Sequence, residues 1–437
     1  MNFLNTRTNY EKMLRVGYNQ TNFNLARMQR LLEGVGSPHK KLRCLHVAGT
    51  KGKGSTCHML AGMLRNAGFT VGLYTSPHLI DIRERIQLNG NMVSEAGFAR
   101  LIAKLAPVVK RLESEGPTFF EIMTAAAFLH FANEEVDYAV IETGLGGRLD
   151  STNVIKPEVC GLVSVSYDHM KQLGSTLEAI AEEKAGIMKP GVPVISAPQE
   201  PAVKRVFRDH AKKIGCELKF VGDELEFSYR FESSRATGPH ARVCMMTPSS
   251  RFDHVQVPML GEHQVWNCGV ALGMIDALRL KGQQIPEQPA VDGLARVYVP
   301  GRLEIIRESP KTVIDCAHNA ASIAALMRAI GQNIGYDSMV VIFGCSADKD
   351  IDGMLRELQL GADKVIFTNN ATPRSADPKE LYTRFVEKSQ KMAQVEPTLL
   401  DAYRTAMHCV TREDLICITG SVYLVGEAKQ ILSGPLA

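Results

Sequence analysis

Residues 49–56 read Gly-Thr-Lys-Gly-Lys-Gly-Ser-Thr, placed between an apolar run and a helical pattern. Glycines let successive backbone N–H groups turn inward around an anion, and a helix N-terminus adds a field that favours negative charge. Lys53 brings a point charge suited to the β- and γ-phosphates of a nucleotide. The segment departs from the ordinary P-loop pattern, since position 47 is valine where that pattern has glycine and Gly54 directly follows the lysine. It reads as a variant phosphate loop; the plain alternative is a tight strand-to-helix turn with solvated lysines.

Further polar residues stand just past other apolar runs. Thr75-Ser76-Pro77-His78-Leu79 offers a hydroxyl that can ligate Mg²⁺ or simply cap a turn. Glu142 ends the run Val140-Ile141, where a carboxylate is expensive unless a cation or a donor meets it. An acid at that place facing a phosphate loop is a natural Mg²⁺ ligand, against the alternative of a solvated acid at a strand tip. The glycine-rich stretch after it closes with Asp150-Ser151-Thr152-Asn153 and suits a shaped substrate loop. Tyr167-Asp168-His169 follows another apolar run, and Ser175-Thr176-Leu177-Glu178 reads as a capping box opening a helix. On that helix Leu177, Ile180, Ala181 and Lys184 share one face, which leaves Lys184 either snorkelling to solvent or working in the interior.

These residues need elements to hold them. The pattern predicts strands over 42–48, 71–74, 138–142, 159–165 and 192–196, with helices over 55–67 and 118–132. Alternation of this kind implies an α/β domain with a mainly parallel sheet, whose ligands gather at the carboxyl ends of the strands. Residues 216–258 turn polar and strand-like (218–221, 227–231, 241–246) and read as a β insertion, followed by a helix over 263–280. Val299-Pro300-Gly301-Arg302 breaks any regular element. A second α/β pattern follows, with strands over 312–315, 339–343, 364–367 and 415–419 and a helix over 320–330. Two domains result, 1–299 and 300–437.

The bulk properties exclude several classes. At 437 residues the chain exceeds a single core, and 45% hydrophobic with 22% charged residues is ordinary for a globular protein. A net charge of +3 without a basic stripe gives no footprint for nucleic acid. No apolar run nears the roughly 18–20 residues that cross a bilayer, and residues 1–30 hold no signal-peptide core. Ten scattered cysteines without a CxxC pair imply reduced thiols and a cytoplasmic protein.

Taken together, GTKGKGST, TSPHL, ETGLGGRLDSTN, the Asp168-His169 pair, EEKAGIMKPG, EHQVWN, VPGR and DCAHN resemble the folylpolyglutamate synthase/dihydrofolate synthase family of the Mur ligase superfamily, in order and spacing, from about Asn22 to Gly426. The resemblance implies a P-loop-type central domain, a smaller Rossmann-like C-terminal domain, and an active site between them. It sends Thr50, Lys51, Gly52 and Lys53 to the phosphates of ATP, joined by Asn267, Arg302 and Asp315. Ser76, Glu142 and His169 would surround Mg²⁺, and Lys184 matches a lysine that is carbamylated in this family. Thr21, Asn22, Phe23, Thr118, Leu149, Asp150 and Ser151 match the positions that hold the pterin substrate. The implied catalytic residues are Lys53, Lys184 and His169.

The implied reaction is acyl activation of a carboxylate by ATP, followed by attack of L-glutamate, on a folate or on dihydropteroate. Two alternatives stay open at this point: a Mur-type ligase acting on another carboxylate such as a cell-wall precursor, and a nucleotide-dependent switch without a second substrate. Partners are expected to be small molecules, and the chain to be a monomer.

Overall fold

The computed structural model describes residues 2–13, 17, 19, 21–234, 238–247, 249–370 and 372–432. Eight strands build the first sheet: β1 (Cys44–Ala48), β2 (Val71–Tyr74), β3 (Ile86–Leu88), β4 (Asn91–Met92), β5 (Tyr138–Glu142), β6 (Val159–Leu162), β7 (Val194–Ser196) and β8 (Leu218–Phe220). Their order is β4-β3-β2-β5-β1-β6-β7-β8. From β2 to β8 all neighbours run parallel, and β3 and β4 add an antiparallel edge. Strands β1, β2, β5 and β6 are buried at every residue, as helices on both faces require of a parallel sheet.

The carboxyl ends of the central strands carry the motifs. Residues 49–52 leave β1 and the helix Lys53–Asn66 starts at once, two residues earlier than its apolar pattern predicts, because Gly52 in the left-handed region (φ 87°) makes the turn. Strand β6 stops at Leu162 rather than 165. Val163 N–H still reaches the carbonyl of Ala48, but the next carbonyl, Ser164, accepts from Thr50 (2.8 Å), so the chain leaves the sheet to hold the phosphate loop. Strand β7 begins at Val194, past Pro193, which cannot donate to a ladder.

Two expectations need correction. Residues 218–220 are not part of a β insertion: β8 extends the main sheet, parallel to β7. The separate sheet consists of β9 (Glu226–Ser234), β10 (Gly238–Met246) and β11 (Arg251–Gln256), in the order β11-β10-β9. The capping box at 175–178 is also absent. Thr176, with extended backbone, is the N-cap of helix Leu177–Ala185 and accepts from Ala179 N–H, so the box pattern is out of register by one residue.

A second sheet contains β12 (Glu304–Glu308), β13 (Lys311–Asp315), β14 (Met339–Phe343), β15 (Lys364–Phe367), β16 (Met392–Val395) and β17 (Leu415–Thr419), ordered β12-β13-β17-β14-β15-β16. All but β12 are parallel, and helices alternate with them, which is a Rossmann-like arrangement. Phe343, Phe367 and Phe385 stack edge-on in its core. The chain divides into two units, one of Met1–Glu232, Ala241–Pro258 and His263–Tyr298, the other of Ser233–His240, Met259–Glu262 and Val299–Ala437. Among the described residues no helix is long and apolar enough to cross a membrane, and all ten cysteines are free.

The helix Lys53–Asn66 is fixed from behind by close backbone approach. A Cβ at Gly293, in helix Glu287–Ala295, would collide with the carbonyl of Gly62 and lie 2.6 Å from Asn66 Cβ. Gly293→Ala should therefore lower the urea midpoint by about 1–3 kcal/mol of stability, the usual cost of overpacking. A wild-type midpoint would show that the helices part without cost.

Candidate active site

The phosphate loop is pinned on two sides. Thr50 Oγ1 donates to the carbonyl of Ser166 and accepts from Ser166 N–H, both at 3.1 Å. On the other side a side chain at Gly52 would strike Asn267 Oδ1. Asn267 is buried in helix Glu262–Leu280 and is itself oriented by donating to Gln264 Oε1 at 2.9 Å. Lys51 and Lys53 are half-buried, and Lys53 opens the helix, so its charge and the first helical N–H groups stand at the same end.

Glu142 ends β5 beside β1, at 4% exposure. Its Oε2 accepts from Ser76 N–H at 3.0 Å and lies 3.4 Å from the position of a Cβ on Gly54. The structure thus joins the end of β2, the end of β5 and the start of the phosphate-loop helix. His169 takes the left-handed conformation (φ 51°), with a partly exposed ring whose Nε2 is 3.9 Å from Asp168. Among the described residues no three His, Cys, Asp or Glu side chains form a cluster able to hold a metal. Magnesium does not need one: it takes one or two carboxylates and completes its shell with water and phosphate oxygens. The Ser76–Glu142 pair beside the phosphate loop fits that requirement.

Lys184 turns inward rather than snorkelling. It is 3% exposed, and Nζ donates to the carbonyl of Gly49 at 2.8 Å. Burial, and secondly repulsion from Lys53, push its pKa down to about 7, although Asp168, Asp150 and Glu183 pull the other way. Glu183, the neighbouring acid, pairs with Arg148 instead.

The loop after β5 packs against the end of that lysine-bearing helix. Arg148 N–H donates to the carbonyl of Glu183 at 2.7 Å, and Asn153 Nδ2 donates to the carbonyls of Arg148 and Gly186, each at 3.0 Å. A Cβ at Gly147 would lie 2.7 Å from the carbonyl of Glu183, so only glycine allows this approach. Inside the loop Asp150 accepts from Gly144 and Leu145 N–H on one oxygen and from Thr152 N–H and Oγ1 on the other. Burial raises its pKa. Thr152 Oγ1 also meets His46 Nε2 at 2.8 Å, and burial drives the His46 pKa down to about 3. Leu149 and Ser151 flank Asp150 and are nearly buried.

The N-terminal positions form a separate turn. Asn19 Oδ1 accepts from Thr21 and Asn22 N–H, both at 3.0 Å, and the Phe23 ring lies 5.3 Å from that of Tyr10. Thr118 caps helix Phe119–Asn133 in a capping box with Glu121. Glu121 in turn meets Arg27 at 2.9 Å. Sequence reasoning missed this Arg27–Glu121 pair. The Thr-x-x-Glu pattern at 118–121 signals the box, but nothing local signals a partner 94 residues away.

In the second unit, Asp315 ends β13 and accepts from Leu303 N–H and Ala317 N–H, each at 2.8 Å. It thereby holds the turn that carries half-buried Arg302.

Residues 47–275 match the Mur ligase middle domain and residues 301–422 the Mur ligase glutamate ligase domain. The chain is 34% identical to a dihydrofolate synthase/folylpolyglutamate synthase of Bacillus subtilis over 413 residues, covering 93% of this chain and 94% of that one. It superposes on the Mycobacterium tuberculosis folylpolyglutamate synthase complexed with ADP and AMPPCP with a TM-score of 0.88 at 31% identity, covering 94% and 96% of the two chains. Against E. coli FolC in complex with DHPP and ADP the TM-score is 0.83 at 27% identity, covering 98% and 96%.

Asp150→Asn should be destabilising by about 1–3 kcal/mol, because an amide nitrogen must face two of the four donors and leaves at least one backbone N–H without its acceptor. Thermal or urea unfolding measures this directly. Wild-type stability would mean that the loop donors find other acceptors.

Proposed function

We propose how the reaction runs in this chain, which belongs to the folylpolyglutamate synthase/dihydrofolate synthase family of Mur ligases. It is an ATP-dependent ligase that joins L-glutamate to a folate carboxylate. The observation that carries the mechanism is the meeting of the Lys53 helix start, the Glu142 carboxylate and the Lys184 side-chain nitrogen around one phosphate loop.

The acceptor's carboxylate oxygen attacks the γ-phosphorus of ATP, the bond to the β-phosphate oxygen breaks, and an acyl phosphate and ADP result. The deprotonated amine of glutamate then attacks the acyl carbon, and inorganic phosphate leaves from the tetrahedral intermediate. Thr50, Lys51, Gly52 and Lys53 hold the phosphates, and Asn267, Arg302 and Asp315 belong to the same nucleotide set. Lys53 and Arg302 stabilise the charge that spreads over the transferring phosphoryl group. Ser76, Glu142 and His169 would hold Mg²⁺, which when bound neutralises charge on the phosphate oxygens. Thr21, Asn22, Phe23, Thr118, Leu149 and Ser151 receive the pteridine end of the acceptor, and Asp150 serves by shaping the loop that presents its neighbours.

Radiolabelled glutamate offered with dihydropteroate and with tetrahydrofolate, each with ATP, tests the function. Incorporation into either supports it; ATP turnover indifferent to both acceptor and glutamate would overturn it. Lys53→Ala should abolish incorporation while the urea midpoint stays near that of wild type, since the loss falls on the transferring phosphoryl group, where such charges contribute on the order of several kcal/mol. Near-wild-type turnover would remove Lys53 from the phosphates.

Lys184 is carbamylated in the active enzyme. Its neutral amine attacks CO₂, a proton leaves, and a cation becomes an anion of the sign required beside a magnesium nucleotide. A pKa of about 7 means that the amine is mostly protonated at pH 6 and mostly neutral at pH 8. At fixed dissolved CO₂ the carbamate signal from ¹³CO₂ in NMR should therefore grow across that range and be missing in Lys184→Ala. A wild-type spectrum without that signal at pH 8 would overturn the assignment.

A further inference from the structure

Arg27 lies in the first turn of helix Leu25–Glu33, where its own N–H donates to the N-cap Asn24 at 3.0 Å. Its side chain points inward at 5% exposure, against Glu121 at 2%. Nε bonds both Glu121 oxygens at 2.9 Å. Nη1 donates to the carbonyl of Glu115 at 3.1 Å and Nη2 to the carbonyl of Asn22 at 3.0 Å. Glu121 Oε2 also accepts from Thr118 N–H (2.8 Å) and Thr118 Oγ1 (3.0 Å). One guanidinium and one carboxylate therefore connect residue 22 to residue 118, two segments far apart in the chain.

A buried ion pair is a poor source of stability, because desolvation consumes most of the attraction and an apolar pair of similar volume often serves as well or better. What the pair adds is direction. Arginine presents its donors in a rigid planar fork, so three acceptors bonded to one fork are fixed relative to each other.

We propose that Arg27 and Glu121 are positioning residues for the pteridine end of the acceptor, holding the Asn22–Phe23 turn and Thr118 as one preformed surface. Arg27 sets the backbone of Asn22 and so the Phe23 ring, a flat partner for a flat bicycle. Glu121 sets the Thr118 end. This rests on the reading of residues 21–23 and 118 as acceptor-binding. The pair touches neither the phosphate loop nor the reacting carboxylate, so it acts on acceptor affinity rather than on phosphoryl transfer.

Steady-state kinetics on the full chain tests it, with dihydropteroate or tetrahydrofolate varied at saturating ATP and glutamate, then ATP varied at saturating acceptor. Arg27→Met combined with Glu121→Leu removes the pair without orphaning a charge. This variant should keep a urea midpoint at or above wild type, raise the acceptor KM by about tenfold or more, and leave kcat and the ATP KM within about twofold. Arg27→Lys keeps a cation beside Glu121 but cannot reach both carbonyls; it should raise the acceptor KM in the same selective way, and it carries the test if the double variant does not fold. A wild-type acceptor KM in the folded variant, or equal losses in the acceptor KM, ATP KM and kcat, would overturn the role. Phe23→Ala tests the premise separately: a wild-type acceptor KM there removes the pteridine surface itself. A raised KM in Phe23→Ala beside a wild-type KM in the Arg27 variants would overturn the positioning role alone.

Discussion

A hydrogen bond from Lys184 Nζ to the carbonyl of Gly49 ties the phosphate loop to the helix beneath it. The other parts of the site are referenced to the same helix. The loop carrying Leu149, Asp150 and Ser151 docks on the carbonyl of Glu183, one residue before Lys184, and on Gly186 through Asn153. Helix Leu177–Ala185 and its C-cap are therefore a common support for the loop at residues 49–52 and the loop at residues 147–153. A buried amine is a costly choice for that position, since desolvation and the neighbouring Lys53 both disfavour its charge. An apolar residue at 3% exposure would avoid that cost but could not make the bond to Gly49.

Three of the buried carboxylates in the first unit, Asp150, Glu121 and Glu142, differ in the donors they meet. Asp150 spends its acceptor capacity on four donors of its own loop, which makes it a structural hub. Glu121 is neutralised by Arg27 and two Thr118 donors, so it serves as a clamp between segments. Glu142 accepts from Ser76 N–H, and its Oε2 lies 3.4 Å from where a Cβ on Gly54 would stand, at the start of the phosphate-loop helix.

Much of this was legible in the sequence because the cues are local. Strands 71–74, 138–142, 339–343, 364–367 and 415–419 lie where β-branched runs end in turns. The helical phase that puts Lys184 among Ile180 and Ala181 holds, with all three buried. What failed was non-local. Residues 218–220 pair with β7 only because the intervening helix Pro201–Ile214 returns the chain to the sheet edge, and a three-residue strand carries no mark of its partner. Strand β12 was missed for a related reason: at the sheet's edge none of its residues is fully buried, and its two isoleucines sit between charged residues. The Arg27–Glu121 pair joins residues whose local roles, an amphipathic first turn and a capping box, are complete without each other.

Two residues next to the sequence motifs carry backbone strain of different weight. His169 and Leu303 both take positive φ, at 51° and 44°. Histidine visits the left-handed region with some regularity, but a leucine there is an outlier whose conformation costs on the order of 1–3 kcal/mol and persists only where neighbours over-determine it. The neighbours are identifiable. Asp315 Oδ2 holds Leu303 N–H at 2.8 Å, and Cys316 N–H holds the carbonyl of Gly301 at 2.9 Å, so the end of β13 grips both sides of Arg302. Because Asp315 also accepts from Ala317 N–H, its carboxylate is largely committed to backbone. The strained turn at Leu303 is thus maintained by the end of β13, which fixes the backbone on both sides of Arg302.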